Sequence, residues 1–267
     1  MLKYNDTIAV AVSGGKDSVS LLHILARTEN KFPKASLSAI TIDEGIKGYR
    51  DEAMRIASDN CRKLGIRHET VSFRELYGYS LDEIVKKQEK AENRTETACA
   101  ICGVLRRRAL NIAGRRMGAS KIATAHTLDD ETQTILLNIF HGDIIRTARE
   151  KPVTDKADDD LIQKIKPFCL IPEEETALYA YVKKTKFQST ACPYASDALR
   201  NDIRLILNRL EKKRPGTKFT IYKSIEKMRP GLEMSEKKER VARCVVCGEP
   251  TSERTCRVCQ ILQKVRT

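Results

Sequence analysis

At 267 residues with 41% hydrophobic side chains, the chain can bury one large α/β domain plus a small appendage, which excludes a linker or a disordered tail. No apolar run approaches the roughly 20 residues that cross a bilayer, and the N-terminus lacks the layout of a signal peptide, so a cytoplasmic protein with no membrane partner is expected. The excess of 49 Lys plus Arg over 36 Asp plus Glu, +13 in all, favours a polyanionic partner, nucleic acid ahead of a membrane surface, although solvated lysines on a basic surface give the same sum.

Through the first half of the chain, β-branched runs alternate with amphipathic stretches. Residues 7–12 are predicted as a strand leading into a helix from Ser18; a strand at 36–42 precedes a helix near 50–64. Further strands are expected at 66–73 and 121–126, the latter entering a helix at 129–140. Strands separated by helices imply a doubly wound parallel sheet with its ligands at the strands' carboxyl ends. Residues 142–163, including Asp158-Asp159-Asp160, read as an exposed, solvated loop. Helices dense in Lys and Arg are expected at 172–186 and 197–214, and Arg229-Pro230-Gly231 as a break before a cysteine-rich tail. The resulting division is 1–170, a catalytic domain; 171–232, a basic helical extension; and 233–267, the tail.

The first strand runs straight into Ser13-Gly14-Gly15-Lys16-Asp17-Ser18 and then an apolar helix. Gly14 and Gly15 permit close backbone approach, and helix-start amides with Lys16 attract phosphate; a plain structural turn is the alternative. The spacing is not that of a Walker loop, so γ-phosphoryl transfer is not indicated. Ala125-His126-Thr127-Leu128-Asp129-Asp130-Glu131-Thr132 repeats the strand-to-helix layout. Its acidic pair either caps the helix or serves a ligand bound at the strand ends, with Asp129 the better cap and Asp130 the better ligand.

Nine cysteines fall into three C-x-x-C pairs and three singles. Cys99 and Cys102 sit at a helix start, where positive potential lowers a thiol's pKa; the pair reads as a redox motif or half a zinc site. Cys192, ahead of another helix, is either a third ligand or a buried thiol. Cys244, Cys247, Cys256 and Cys259 form two turns separated by eight residues, a set suited to tetrahedral, structural Zn²⁺ in a tail with too little core to fold alone. Arg243, Arg254 and Arg257 beside it serve either to grip nucleic acid or simply to stabilise the knuckle.

The loop at 13–18 resembles the PP-loop ATP pyrophosphatases, and with the three separated cysteines the chain resembles their tRNA 2-thiolation branch, the thiouridine synthetases, over nearly its whole length. The resemblance implies the adenine nucleotide alpha hydrolase-like fold with a helical basic extension and a small C-terminal zinc knuckle. It implies that ATP is held by Ser13, Gly14, Gly15, Lys16, Asp17 and Ser18, with Ile42 and Ala125 bordering the adenosine and Asp130 near Mg²⁺. It further implies a [4Fe-4S] cluster on Cys99, Cys102 and Cys192, whose open iron carries the sulfide that displaces AMP from an adenylated uridine. The family glycine is replaced by Ala125, and the family's catalytic lysine by Arg106, which leaves that position an electrostatic role. Asp17, Cys99, Cys192 and Arg106 are thus the candidate catalytic residues. tRNA is the expected partner, its phosphates held near residues 106–108, 183–186 and 200–214, with sulfur arriving as sulfide or on a thiocarboxylated ubiquitin-like protein, and a homodimer possible. An N-terminal zinc ribbon usual in such enzymes is expected to be missing, by nature or truncation. Two readings stand beside this one: a PP-loop enzyme using zinc and a cysteine persulfide, and a noncatalytic tRNA-binding module.

Overall fold

The computed structural model describes every residue except 30, 33, 91–95, 196–197, 235–240 and 267. In chain order, β1 (Thr7–Ala11), α1 (Lys16–Glu29), β2 (Ser36–Asp43), α2 (Arg50–Leu64) and β3 (Arg67–Ser72) form the first half of the sheet. They are followed by α3 (Phe73–Tyr77), α4 (Leu81–Lys90), α5 (Ala98–Arg116), β4 (Lys121–Ala123), α6 (Leu128–Phe140), α7 (Ile144–Arg149) and β5 (Gln163–Ile165). The remainder is α8 (Glu173–Val182), α9 (Ala198–Lys213), α10 (Thr217–Met234), β6 (Ala242–Arg243), β7 (Pro250–Thr251) and α11 (Arg257–Arg266).

The five main strands lie in the order β3-β2-β1-β4-β5, all parallel, with Val10 opposite Ala39 on one side and Ala123 on the other. β1 is apolar on both faces because both faces are covered: Ala9 joins a core with Ile40, Ile101 and Leu105, while Val10 joins Val19, Leu22 and Ala57 on the opposite side. A third, smaller core gathers Leu128, Ile135, Cys169, Tyr222 and Ile225. The tail packs on the first of these cores through Val258, Ile261 and Val265. No described helix is long and apolar enough to cross a membrane.

The doubly wound parallel sheet agrees with the expectation from sequence, and α2 begins and ends where its pattern placed it, closed by Gly65 in the left-handed region at φ 65°. Three expectations need correction. Residues 142–163 are not a loop throughout: Asp143 caps α7, whose Thr147 and Ala148 are buried, and Val153 bridges to Ile165 of β5. Within the same stretch Asp158 and Asp160 are not free acids, because Arg243 of the tail pairs with them at 3.2 and 2.5 Å. Arg229-Pro230-Gly231 does not break the chain either; α10 continues through Pro230 to Met234. Tertiary anchors override the missing amide there: Tyr222 and Ile225 are buried below it, and Arg229 Nη2 donates to the Glu150 carbonyl at 2.6 Å. Asp197, expected to open a helix, lies outside the described residues; α9 begins at Ala198.

Candidate functional site

The loop at 13–18 leaves the end of β1 beside β4, where the strand order reverses and open α/β sheets form their ligand crevice. Gly14 adopts φ +90°, and a Cβ there would approach the Ala53 carbonyl oxygen to 2.6 Å, so the turn requires glycine. Ser18 Oγ accepts from the Ser13 N–H at 3.1 Å and donates to the Gly15 carbonyl at 2.9 Å, stapling the loop onto the first turn of α1. The Gln188 N–H donates to the Gly14 carbonyl at 2.9 Å, so the segment leading to Cys192 is fastened to the same loop. Lys16 Nζ lies 2.8 Å from Asp17 and 2.6 Å from Glu173. Burial works against its charge, but hydrogen bonds to these carboxylates outweigh that and raise its pKa. The Asp17 carboxylate also accepts the Thr176 hydroxyl. With first-turn amides that have no acceptor inside α1, the loop is a preorganised seat for an anion, with Lys16 held at its edge by two carboxylates.

At the start of α6 the cap is Thr127, not Asp129. The Thr127 hydroxyl accepts from the Asp130 N–H at 3.3 Å, and Asp130 Oδ2 accepts from the Thr127 N–H at 3.0 Å, a reciprocal capping box. Asp129 is instead buried, accepting the Glu173 N–H at 2.7 Å and pairing with Lys218, which ties α6 to α8 and α10. Asp130 Oδ1 stays partly open, 3.6 Å from Arg200. Glu131 pairs with Lys166 at 2.8 Å and the Thr132 hydroxyl donates to the Leu128 carbonyl, so both serve the framework. Ala125 is half-buried nearby, and Ile42 is buried at the end of β2.

Cys99 and Cys102 occupy the first turns of α5, capped by the Thr97 hydroxyl, which accepts from the Ala100 N–H at 3.2 Å. Cys99 Sγ donates to the Tyr194 carbonyl at 2.7 Å, two residues beyond Cys192, and Cys192 packs against the core that contains Cys102. The three thiols therefore gather at one end of α5. The expected lowering of the thiol pKa is overturned for Cys102: burial pushes it up to about 11, although Arg106 Nη2 donates to its sulfur at 3.1 Å.

An ion-pair chain, buried at Arg50 and Glu44 and half exposed at Arg106, joins this end of α5 to the loop. Arg50 Nη1 donates to the Ser13 carbonyl at 3.1 Å and Nη2 to the Ile42 carbonyl at 2.6 Å, while its Nε lies 2.7 Å from Glu44 Oε2. Glu44 Oε1 holds Arg106 Nε at 2.7 Å. The sequence singled out Ile42 but gave neither Glu44, two residues on, nor Arg50 a role; pairing across strand ends leaves no periodic signal. Lys164, pushed down to about 8 by burial and by the charges of Arg107 and Lys166, was likewise missed.

In the tail, the four cysteine sulfurs lie within 4.8 Å of one another. A tetrahedron of metal–sulfur bonds near 2.3 Å has its sulfurs about 3.8 Å apart. Cys244 is buried, which raises a thiol's pKa, but N–H groups of Cys256, Val246 and Cys247 aimed at its sulfur outweigh that and bring it down to about 6. Of the neighbouring cations, Arg243 pairs with Asp158 and Asp160 and Arg257 with Glu96 at 2.8 Å, so these two fasten the knuckle in place. Among the predicted phosphate contacts, Arg106 and Arg108 pair with Glu44 and Glu249, whereas Lys183, Lys184, Lys186, Arg204, Arg209 and residues 212–214 are exposed.

Residues 3–211 match the PP-loop domain family. The chain is 36% identical over 266 residues to a probable sulfurtransferase of Methanocaldococcus jannaschii, covering 100% of this chain and 76% of that protein. It is 37% identical to the tRNA 2-thiolation protein NcsA of Haloferax volcanii (97% and 82% covered) and 38% identical to the cytoplasmic tRNA 2-thiolation protein 1 of Chlamydomonas reinhardtii (98% and 72%). In three dimensions it is similar to the U34-tRNA thiolase NcsA from Methanococcus maripaludis solved with its [4Fe-4S] cluster, with a TM-score of 0.83, 32% identity, and coverage of 98% of this chain and 82% of that one. The chain belongs to the PP-loop family and, within it, to the tRNA 2-thiolation proteins.

Proposed function

We propose that the protein uses ATP to adenylate the C2 oxygen of a tRNA uridine and then replaces that oxygen with sulfur, giving 2-thiouridine, AMP and pyrophosphate. The observation that carries this reading is adjacency: one chain of contacts runs from the Ser13 carbonyl through Arg50, Glu44 and Arg106 to Cys102 Sγ.

In this reading the amides of 13–18 and Lys16 take the charge of the departing pyrophosphate, a preorganised electrostatic role. Ile42 and Ala125 border the adenosine, and Asp17 and Asp130 hold Mg²⁺. Arg106 is a permanent cation; it stabilises negative charge as sulfur attacks C2 and does not serve as a proton donor. Cys99, Cys102 and Cys192 hold a [4Fe-4S] cluster, which when bound supplies an iron with an open position for sulfur. Their spacing favours that wider group over one ion, since among the described residues only the tail cysteines crowd as a single ion requires. Those four, with amides aimed at a thiolate, fit structural Zn²⁺. The exposed Leu178, Tyr181 and Val182 on α8 support a homodimer. The setting is the cytoplasm, and sulfur arrives as sulfide or on a thiocarboxylated ubiquitin-like protein.

The test is mass spectrometry of nucleosides from tRNA incubated anaerobically with ATP, sulfide and reconstituted protein. 2-Thiouridine is expected, and Asp17→Ala abolishes it. Its absence from a wild-type reaction that shows the cluster's visible absorbance overturns the reading.

A further inference from the structure

We infer that Glu44 is a positioning residue for both halves of the site, holding Arg50 under the nucleotide loop with one carboxylate oxygen and aiming Arg106 at the Cys102 sulfur with the other. The inference rests on the thiolation reading for its purpose, but its geometry stands apart from it.

The backbone of Glu44 is fixed first. Its carbonyl accepts the Leu81 N–H at 2.7 Å, and the next residue, Gly45, turns at φ +68° so closely against Ser80 that a Cβ would meet the serine's own at 2.6 Å. The side chain is therefore delivered to one place, 3% exposed, where each oxygen meets one guanidinium nitrogen at 2.7 Å. The two arginines differ in a way that separates positioning from bulk stability. Arg50 is buried with Glu44, and its fork reaches three acceptors at once, the Ser13 carbonyl, the Ile42 carbonyl and Glu44 Oε2, which only a guanidinium can do. It ties the ends of β1 and β2 together and so sets where the loop begins. Arg106 is half exposed, and an ion pair with one partner in solvent adds little stability. What Glu44 gives Arg106 is direction: without it a long side chain turns to water, and with it Nη2 stays 3.1 Å from Cys102 Sγ. Donors to a cluster-ligating sulfur tune the cluster's reduction potential.

The test uses the full chain and two readouts that need no tRNA: the ATP dissociation constant by calorimetry on cluster-free protein, and the midpoint potential of the reconstituted cluster. Arg50→Lys is expected to weaken ATP about tenfold and leave the potential in place. Arg106→Met is expected to make the potential more negative and leave ATP affinity within about twofold. Glu44→Gln, if it melts cooperatively, is expected to do both; moving only one quantity, or neither, overturns the inference. Should Glu44→Gln fail to fold, the other two variants decide, and an Arg106→Met protein with the wild-type potential overturns it. A wild-type protein that assembles no cluster defeats the thiolation reading instead, and the ATP measurements on Glu44→Gln and Arg50→Lys then judge Glu44 alone: equal tenfold losses support it and wild-type affinity overturns it.

Discussion

Gly14 is held at φ +90° with its α-carbon facing the Ala53 carbonyl of α2, so the loop and the neighbouring helix are in backbone contact. A methyl group there has no flexible side chain to displace, and the conformation itself disfavours any L-residue. Gly14→Ala is therefore expected to cost about 1–3 kcal/mol of stability and at least tenfold in ATP affinity. Gly15→Ala, whose Cβ would meet only Ser13 Oγ at 3.6 Å, should lose much less; calorimetry and melting curves on the pair check both. Lys164 makes a different kind of prediction. Burial, then repulsion from Arg107 and Lys166, brings its amine down to about 8 from the 10.5 of an unfolded lysine. Below pH 8 both states are protonated and the folded protein bears the whole penalty. Between pH 8 and 10.5 the unfolded chain binds the extra proton, so this residue's contribution improves as pH rises. Lys164→Met should melt above the wild type at pH 7, with the difference shrinking to nothing by about pH 10.5. A difference that does not change with pH would contradict the burial argument.

At the scale of elements, the tail is a cover rather than a pendant. α11 lays Val258, Ile261 and Val265 over the core beneath α4 and α5, each such burial contributing about 1.5–3 kcal/mol, while Glu249 pairs with Arg108 at 3.1 Å and with Arg115. A metal held by the four cysteines would therefore stabilise the core beneath α4 and α5 as well. One zinc per chain is expected by elemental analysis of cluster-free protein, and Cys256→Ser or chelation should lower the melting temperature by several degrees and expose α5 in hydrogen exchange. An unchanged melt after zinc loss would show that the knuckle folds without it. This docking was not legible in the sequence, which displayed the cysteine spacing but not the partners of Arg243 and Arg257 across the fold. Elements with a full local signature were legible: α2 carries Asp51 and Glu52 in its first turn and Gly65 after its last. β5 was not, because a three-residue strand reading Gln-Lys-Ile has no period to detect and is held by pairing with β4. The same reason separates the site's two layers. Ser13 to Ser18, the cysteine pairs and the Thr127–Asp130 capping box are local in sequence, the last overlooked in favour of Asp129, whereas Arg50 and Glu44 acquire their roles only through neighbours brought together by the sheet.

For the molecule as a whole, the charge of +13 is not spread evenly over its uses. Many of the cations that looked available for nucleic acid are consumed internally: Arg106 by Glu44, Arg108 by Glu249, Arg243 by Asp158 and Asp160, Arg257 by Glu96. The surplus is concentrated after α8 and along α9, where Lys183, Lys184, Lys186, Arg204, Arg209, Lys212, Lys213 and Arg214 are exposed. α9 buries Ile203 and Leu207, one turn apart, and this single apolar stripe turns its remaining faces outward. A phosphate backbone lying on that surface releases counterions, so the logarithm of tRNA affinity falls with the logarithm of salt concentration by about 0.7–0.9 per contact. Changing Lys212, Lys213 and Arg214 together to Gln should reduce that slope by about two and weaken binding at low salt. Arg243→Gln removes the same kind of charge from a paired position and should leave the slope as it is while lowering the melting temperature. Equal losses of slope from the two proteins would mean that tRNA lies across the knuckle rather than along α9.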